Sequence, residues 1–250
     1  MDAVLAALAD QQAELAAIVA AATDDQLALP SRCPGWSAAD VLLHLAQTNE
    51  IAVASTEGRL AEHGRAVAEA LPSGASVDDL AGWLVERERT SPAAARARWL
   101  ESARAQEAAF AAVEPSARLL WVAGELAARS LASTRLSETW IHTVDVAVAF
   151  GPPPAPTDRL WHIARLAWRT IPYAFERAGA ELHGPVAFEL AAPAGATWSF
   201  GEPDDAATVV RGTALDLCTV AGQRTPAAPS TLHATGLDAE RVLQLVRTFA

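Results

Sequence analysis

The sequence predicts an α+β protein, with a four-helix bundle over residues 1–152 and a small α/β domain over residues 153–250. Three observations carry that expectation. The first half reads as long segments with apolar residues at helical spacing. Gly151-Pro152-Pro153-Pro154 then stops the last of them and marks the best domain boundary. Beyond it come short alternating runs, such as Val186-Ala187-Phe188-Glu189-Leu190, separated by Gly, Pro and Asp turns. A chain of 250 residues suits two domains whose cores need neither disulfide nor metal.

In the first half, Val4 to Ala22 is rich in Ala and Leu, and Val4, Leu8, Leu15, Ile18 and Val19 form a helical stripe. Asp24, Asp25 and two prolines break the pattern between Thr23 and Pro34, and this loop runs into Cys33-Pro34-Gly35-Trp36. Ser37 is a suitable N-cap, with Asp40 at the capping-box position. The helix it opens carries Val41, Leu42, Leu45 and Ile51, with His44 among them. After a turn at Leu71-Pro72-Ser73-Gly74, Ser76 caps a third helical region that restarts at Ser91-Pro92 and reaches Glu114. Its outer charges, among them Glu86, Arg87, Glu88, Arg89, Arg96, Arg98 and Arg104, read as a solvated face. Pro115 ends it. A connection through Leu119, Leu120 and Trp121 leads to the fourth helix, which starts between Gly124 and Ser130.

In the second half, Thr157 to Ala178 reads as one amphipathic helix carrying Trp161, Ile163, Leu166, Trp168 and Ile171. Strands are expected at Val186 to Leu190, Thr197 to Phe200, Thr208 to Arg211 and Thr231 to Gly236. A helix over Ala214 to Ala221, opened by Gly212-Thr213, and a closing helix from Asp238 to Phe249 complete the domain.

The chemistry is concentrated in Ser137 to Gly151. Glu138 and His142 are four apart and Asp145 follows three later, so the three side chains share one helix face. Trp140, Ile141, Val144, Val146 and Val148 surround this stripe with apolar groups, as expected of a bundle helix that carries a site inward. A buried carboxylate beside a buried imidazole is costly unless something pairs with it, and a divalent metal would do so. The alternative is a simple hydrogen-bonded Glu–His pair on a half-exposed helix. His44 is a third candidate ligand if the helices pack antiparallel; its alternative is a core histidine with its hydrogen bonds satisfied. His63, His162, His183 and His233 follow no ligand spacing.

Composition narrows the partners. The net charge is −11, all 19 basic residues are Arg, and no basic run occurs, which excludes nucleic acid and anionic membranes as expected partners and leaves a small molecule. Two cysteines, Cys33 and Cys218, stand far apart with no C-x-x-C spacing, so neither a disulfide framework nor a thiolate zinc site is expected. No apolar run has the length of a membrane span, and Met1-Asp2-Ala3-Val4 does not begin like a signal peptide. A cytoplasmic monomer or homodimer is expected.

These features together resemble a known family. Pro34-Gly35-Trp36-Ser37 before the second helix, His44 about seven residues into it, E-x-x-x-H-x-x-D on the last bundle helix and a small C-terminal domain resemble the DinB-like metal-binding superfamily. More closely, the chain is similar to the branch that includes mycothiol-dependent maleylpyruvate isomerase, over nearly its whole length. The resemblance implies metal ligation by His44, Glu138 and His142 and a sterol-carrier-like fold for the C-terminal domain. It also implies an active-site role for Arg224, which follows the motif Gly212-Thr213-Ala214-Leu215-Asp216-Leu217. The family pattern has Gly immediately before that Arg, where this chain has Gln223.

Two imidazoles and a carboxylate leave positions open on a divalent ion, the arrangement of a catalytic site. Zinc stands first, with nickel, iron and manganese also compatible. A thiol that coordinates is deprotonated, so the cosubstrate implied by the resemblance, mycothiol or a similar thiol, would serve as nucleophile for isomerisation of, or transfer to, a small electrophile. Cys33 reads as a buried structural residue and not as that nucleophile. Arg224 suits a carboxylate or enolate oxygen, its alternative being a surface Arg. Asp145 is expected to accept the free ring N–H of a ligand His, foremost His44; its alternative partner is Arg135. Three rival functions are a metal-water hydrolase, a non-catalytic small-molecule or lipid binding module walled by some of the eight Trp, and a helical protein with a vestigial site.

Overall fold

The computed structural model describes residues 1–61, 77–122 and 124–248. The expected turn at Leu71-Pro72-Ser73-Gly74, the Ser76 cap, His63 and the helix end at Phe249 lie outside them. The chain divides into two compact units, Met1–Pro154 and Ala155–Ala250.

The first unit is a helical bundle. Helix α1 spans Asp2–Val19, α3 Ala38–Thr56, α5 Pro92–Ala111 and α6 Ala128–Ala147. Two shorter helices join them, α2 at Asp24–Leu27 and α4 at Val77–Glu88. Helix α3 packs on α5 and α6, and α1 packs on α6 and α5. The core they enclose includes Leu8, Leu15, Leu42, Leu45, Trp99, Phe110 and Leu131, all essentially without solvent contact. Local chemistry sets the helix starts: Ser37 accepts from Asp40 N while the Asp40 carboxylate accepts from Ser37 N, a reciprocal capping box. Thr23 and Gln26 form a second box that turns part of the expected loop into α2.

The connection expected through Leu119, Leu120 and Trp121 is a β-hairpin. Strand β1, Arg118–Trp121, pairs antiparallel with β2, Gly124–Ala127. Its four-residue strands do not alternate in polarity, so the period-two signal is absent. The hairpin ties to α3 through Ser55 Oγ, which donates to Leu120 O at 2.5 Å.

The second unit begins with α7, Leu160–Arg169, and α8, Ile171–Arg177, in place of the single helix expected over Thr157 to Ala178. Pro172 is the cause, since it has no N–H to donate and its ring crowds the carbonyl four residues back. A four-stranded sheet follows in the order β4-β3-β5-β6. Strands β3, Val186–Ala191, and β4, Thr197–Phe200, are antiparallel; β5, Thr208–Thr213, lies parallel to β3; and β6, His233–Gly236, runs antiparallel to β5. Gly236 faces Thr208 so closely that a Cβ there would collide with Ala207 O. Helix α9, Ala214–Ala221, packs on α7, and α10, Ala239–Leu245, closes the unit shorter than expected.

The end of α9 accounts for the departure at Gln223. Gln223 N donates to Val220 O and Arg224 N to Thr219 O, the pair of bonds of a Schellman motif, and Gln223 sits at φ 57°. Glycine meets that conformation without strain, whereas Gln223 is held there by its Nε2, which donates to Val220 O and Val246 O. Gln223→Gly is therefore expected to change stability by less than ~0.5 kcal/mol, relief of backbone strain offsetting two lost side-chain bonds. Gln223→Val loses the bonds and keeps the strain, at a cost of ~2 kcal/mol. Urea denaturation of the two variants checks the contrast, and equal stabilities would contradict it.

Candidate metal centre

Helices α3 and α6 bring the three candidate ligands together. Donor atoms of His44, Glu138 and His142 all lie within 4.8 Å of one another. Glu138 Oε2 is 3.5 Å from His142 Nε2 and 3.9 Å from His44 Nε2, and the two imidazole rings meet edge-on with centroids 4.9 Å apart. The helices run antiparallel here: His44 on α3 faces Glu138 and His142 on α6, while Thr48 and Asn49, a turn later on α3, meet Arg135, a turn earlier on α6. Both imidazoles are buried and the Glu138 side chain is 20% exposed.

Asp145 serves a different histidine from the one expected. Its Oδ2 lies 3.0 Å from His142 Nδ1, one turn back on the same helix, and not against His44 or Arg135. The i, i+3 spacing on α6 makes that contact local, which is why it wins over one reaching across the bundle. Asp145 therefore fixes the ring so that Nε2 of His142 points at Glu138.

Cys33 also departs from expectation. It is half-buried, not packed away, and its thiol donates to Asp145 Oδ2 at 3.2 Å while lying 3.9 Å from His142 Nδ1. The loop that carries it is fastened to α6 by Arg32 N donating to Asp145 O at 3.0 Å, and it is closed on itself by Ser31 N donating to Trp36 O. Gly35 allows the turn at φ 79°. Trp36 then stands beside His44, ring centroids 5.2 Å apart. Sequence reasoning placed neither Cys33 nor Trp36 in the site; the signal was their position in the loop immediately before the helix of His44.

The charges follow the geometry. Burial opposes ionisation of Glu138, but the two imidazoles beside it and the nearby Arg135 guanidinium hold its carboxyl well below the usual carboxylate range. Burial likewise disfavours a charged His142, yet Asp145, Cys33 and Glu138 together raise it well above an ordinary histidine. His44 is lowered, chiefly by burial, with Glu138 opposing and His142 and Arg135 adding to the effect. Without a metal, these directions favour a protonated His142 beside an ionised Glu138, with a neutral His44 across from them.

The donor set fits a divalent ion. Two nitrogens and one carboxylate oxygen converge from two rigid helices, one imidazole is oriented through its second nitrogen, and the half-buried Glu138 has only the imidazoles as ion-pair partners among the described residues. A second group, Cys33, His142 and Asp145, is also close enough to hold an ion, but it shares His142, and its distances are those of hydrogen bonds to one carboxylate.

Arg224 lies in the second unit, just after α9, where its Nη1 donates to Gly222 O at 3.0 Å. The motif before it is structural: Thr213 caps α9, and Asp216 Oδ2 accepts from Thr231 N and Thr231 Oγ1.

Comparison with known proteins agrees with this architecture. An uncharacterized protein of Mycobacterium tuberculosis, found in strains CDC 1551 / Oshkosh and ATCC 25618 / H37Rv, is 38% identical over 97% of this chain and 95% of its own. The crystal structure of the mycothiol-dependent maleylpyruvate isomerase shares the fold, with a TM-score of 0.59 at 17% identity over 94% of this chain and 92% of that one. A point mutant of that isomerase gives 0.58 at 18% identity over the same shares. The family model of the mycothiol maleylpyruvate isomerase N-terminal domain matches residues 8–147, which span α3, α6 and all three candidate ligands, and the chain belongs to that family.

Proposed function

We propose that this protein is a metal-dependent enzyme that activates a low-molecular-weight thiol of the mycothiol kind for isomerisation of, or transfer to, a small electrophile. The observation that supports it best is the convergence of His44, Glu138 and His142 on one point, with Asp145 behind His142. Family membership supports the thiol. A bound divalent ion supplies Lewis acidity, under which a coordinated thiol is a thiolate at neutral pH. The chain's own residues do the rest. His44 and His142 present Nε2 toward the ion's position and Glu138 presents one anionic oxygen. Asp145 keeps the ring proton of His142 on Nδ1, away from that position. Trp36 walls the His44 side against water. The resemblance to the isomerase branch supports a role for Arg224, whose planar fork suits a carboxylate or enolate oxygen of the electrophile.

Cobalt substitution tests this reading. Mycothiol added to the cobalt protein is expected to produce a saturable thiolate charge-transfer band, and the apparent affinity should rise with pH below the pKa of the free thiol, because binding releases a proton. Since Cys33 Sγ sits 3.9 Å from His142 Nδ1, the titration belongs in Cys33→Ala, where any thiolate band comes from the added thiol. Arg224→Ala should leave the band in place while cutting turnover. A spectrum unchanged at saturating mycothiol would favour a metal-water hydrolase or a binding module.

A further inference from the structure

Arg135 lies on α6 one turn before Glu138 and is 1% exposed. Its Nη2 donates to Thr48 Oγ1 at 2.8 Å and to Asn49 Oδ1 at 3.2 Å, both neutral, while its Nε has no partner. Among the described residues no carboxylate oxygen lies within the 4.0 Å of an ion pair with it. A buried cation with no carboxylate in contact is one of the costlier things a core can hold. Burial pushes the guanidinium down to about 10, against the attraction of Glu138, and even so it remains charged at neutral pH.

Bracing alone does not explain the charge. The brace joins α3 to α6 beneath the ligands, since Thr48 Oγ1, which accepts from Arg135, donates in turn to His44 O at 3.0 Å. An uncharged amide could make the same bonds without the desolvation cost. What the charge does stand beside is the ligand cluster: Arg135 is one turn from Glu138 on the same helix, and its hydrogen bond to Thr48 leads on to the backbone of His44. With a divalent ion in place, three positive charges would face two carboxylates, Glu138 and Asp145. One positive charge then remains to be balanced, and the open coordination position is where an anion can balance it.

We propose that Arg135 is a positioning residue which, through its field at the metal position, makes the open site select a monoanion, of the thiolate or hydroxide class, over a neutral ligand. This rests on the metal reading given above. It sets the class of the exogenous ligand from within the bundle, whatever the electrophile.

Azide and imidazole, a small anion and a small neutral ligand, separate the two roles of Arg135 when each is titrated spectroscopically into the cobalt-substituted protein. Arg135→Gln keeps hydrogen bonding without charge and is expected to weaken azide about tenfold, the effect of one unit charge near a partly buried ion, while imidazole shifts less than about twofold. Arg135→Lys should restore most of the azide affinity. Equal changes for azide and imidazole, or unchanged azide affinity in a folded Gln variant, would overturn the inference while leaving the metal reading intact. Failure of the wild-type protein to take up cobalt would overturn both. If Arg135→Gln does not fold, Arg135→Met carries the same comparison, because it removes the charge and leaves no polar head buried.

Discussion

His142→Ala is expected to lower bound metal from near one ion per chain to below about a tenth of that, with His44→Ala and Glu138→Ala close behind, because each removes one of the three proposed ligands. His142 should be the most severe, as it is the ligand that Asp145 orients and the one facing Glu138 at 3.5 Å. Elemental analysis of purified variants reads this directly, and a triple-Ala protein with wild-type metal content would refute the site. The same residue predicts a pH dependence. In the metal-free protein His142 titrates well above an ordinary histidine, so metal must displace a proton from it. Apparent metal affinity should therefore climb about tenfold per pH unit until the pH passes that raised pKa, then level off. Stability of the metal-free protein moves the other way. A raised folded-state pKa contributes stability that is full below the unfolded-state value and is lost as pH rises through the folded one. The melting temperatures of metal-free and metal-loaded protein should thus move apart as pH increases across that window.

What could be read in advance was what is local in sequence. The Ser37–Asp40 capping box, the start of α5 at Pro92 and the Glu138–His142–Asp145 face each depend on residues within four positions of one another. Pro172 carried the signal that splits α7 from α8, but the apolar stripe running through it reads as one helix. The β1–β2 hairpin has strands too short to show a period. In the site, the pairing of His44 with α6 is a tertiary fact, and sequence reached it through an assumed antiparallel packing and the resemblance to a family. Cys33 and Arg135 depart from expectation for different reasons. Cysteine usually packs as a small hydrophobe, so its thiol was assigned to the core and not to Asp145. Arg135, expected only as an alternative partner for Asp145, points instead into the bundle toward Thr48 and Asn49, a tertiary contact that no local spacing announces.

Asp145→Asn is expected to weaken metal binding ten- to a hundredfold, to roughly the extent that removing the hydrogen-bond acceptor behind a ligand histidine does elsewhere. Asp145 has no exposed surface, and its Oδ2 takes both the His142 ring and the Cys33 thiol. Asparagine keeps the shape and can still turn its carbonyl toward Nδ1, so the loss would come from charge: a neutral acceptor polarises the imidazole less, and Nε2 becomes a weaker donor to the ion. Asp145→Ala should be worse, because the ring can then rotate or place its proton on Nε2, which faces the metal position. Cys33→Ala provides the control. It removes one donor to the same carboxylate but leaves the His142 contact intact, so metal affinity should change by less than about threefold. Competition titrations against a chelator give all three affinities on one scale. The order expected is wild type near Cys33→Ala, then Asp145→Asn, then Asp145→Ala. If Asp145→Asn binds metal as tightly as wild type, the carboxylate does no more than fasten the end of α6 to the loop of Cys33, a task its backbone carbonyl already shares through Arg32 N.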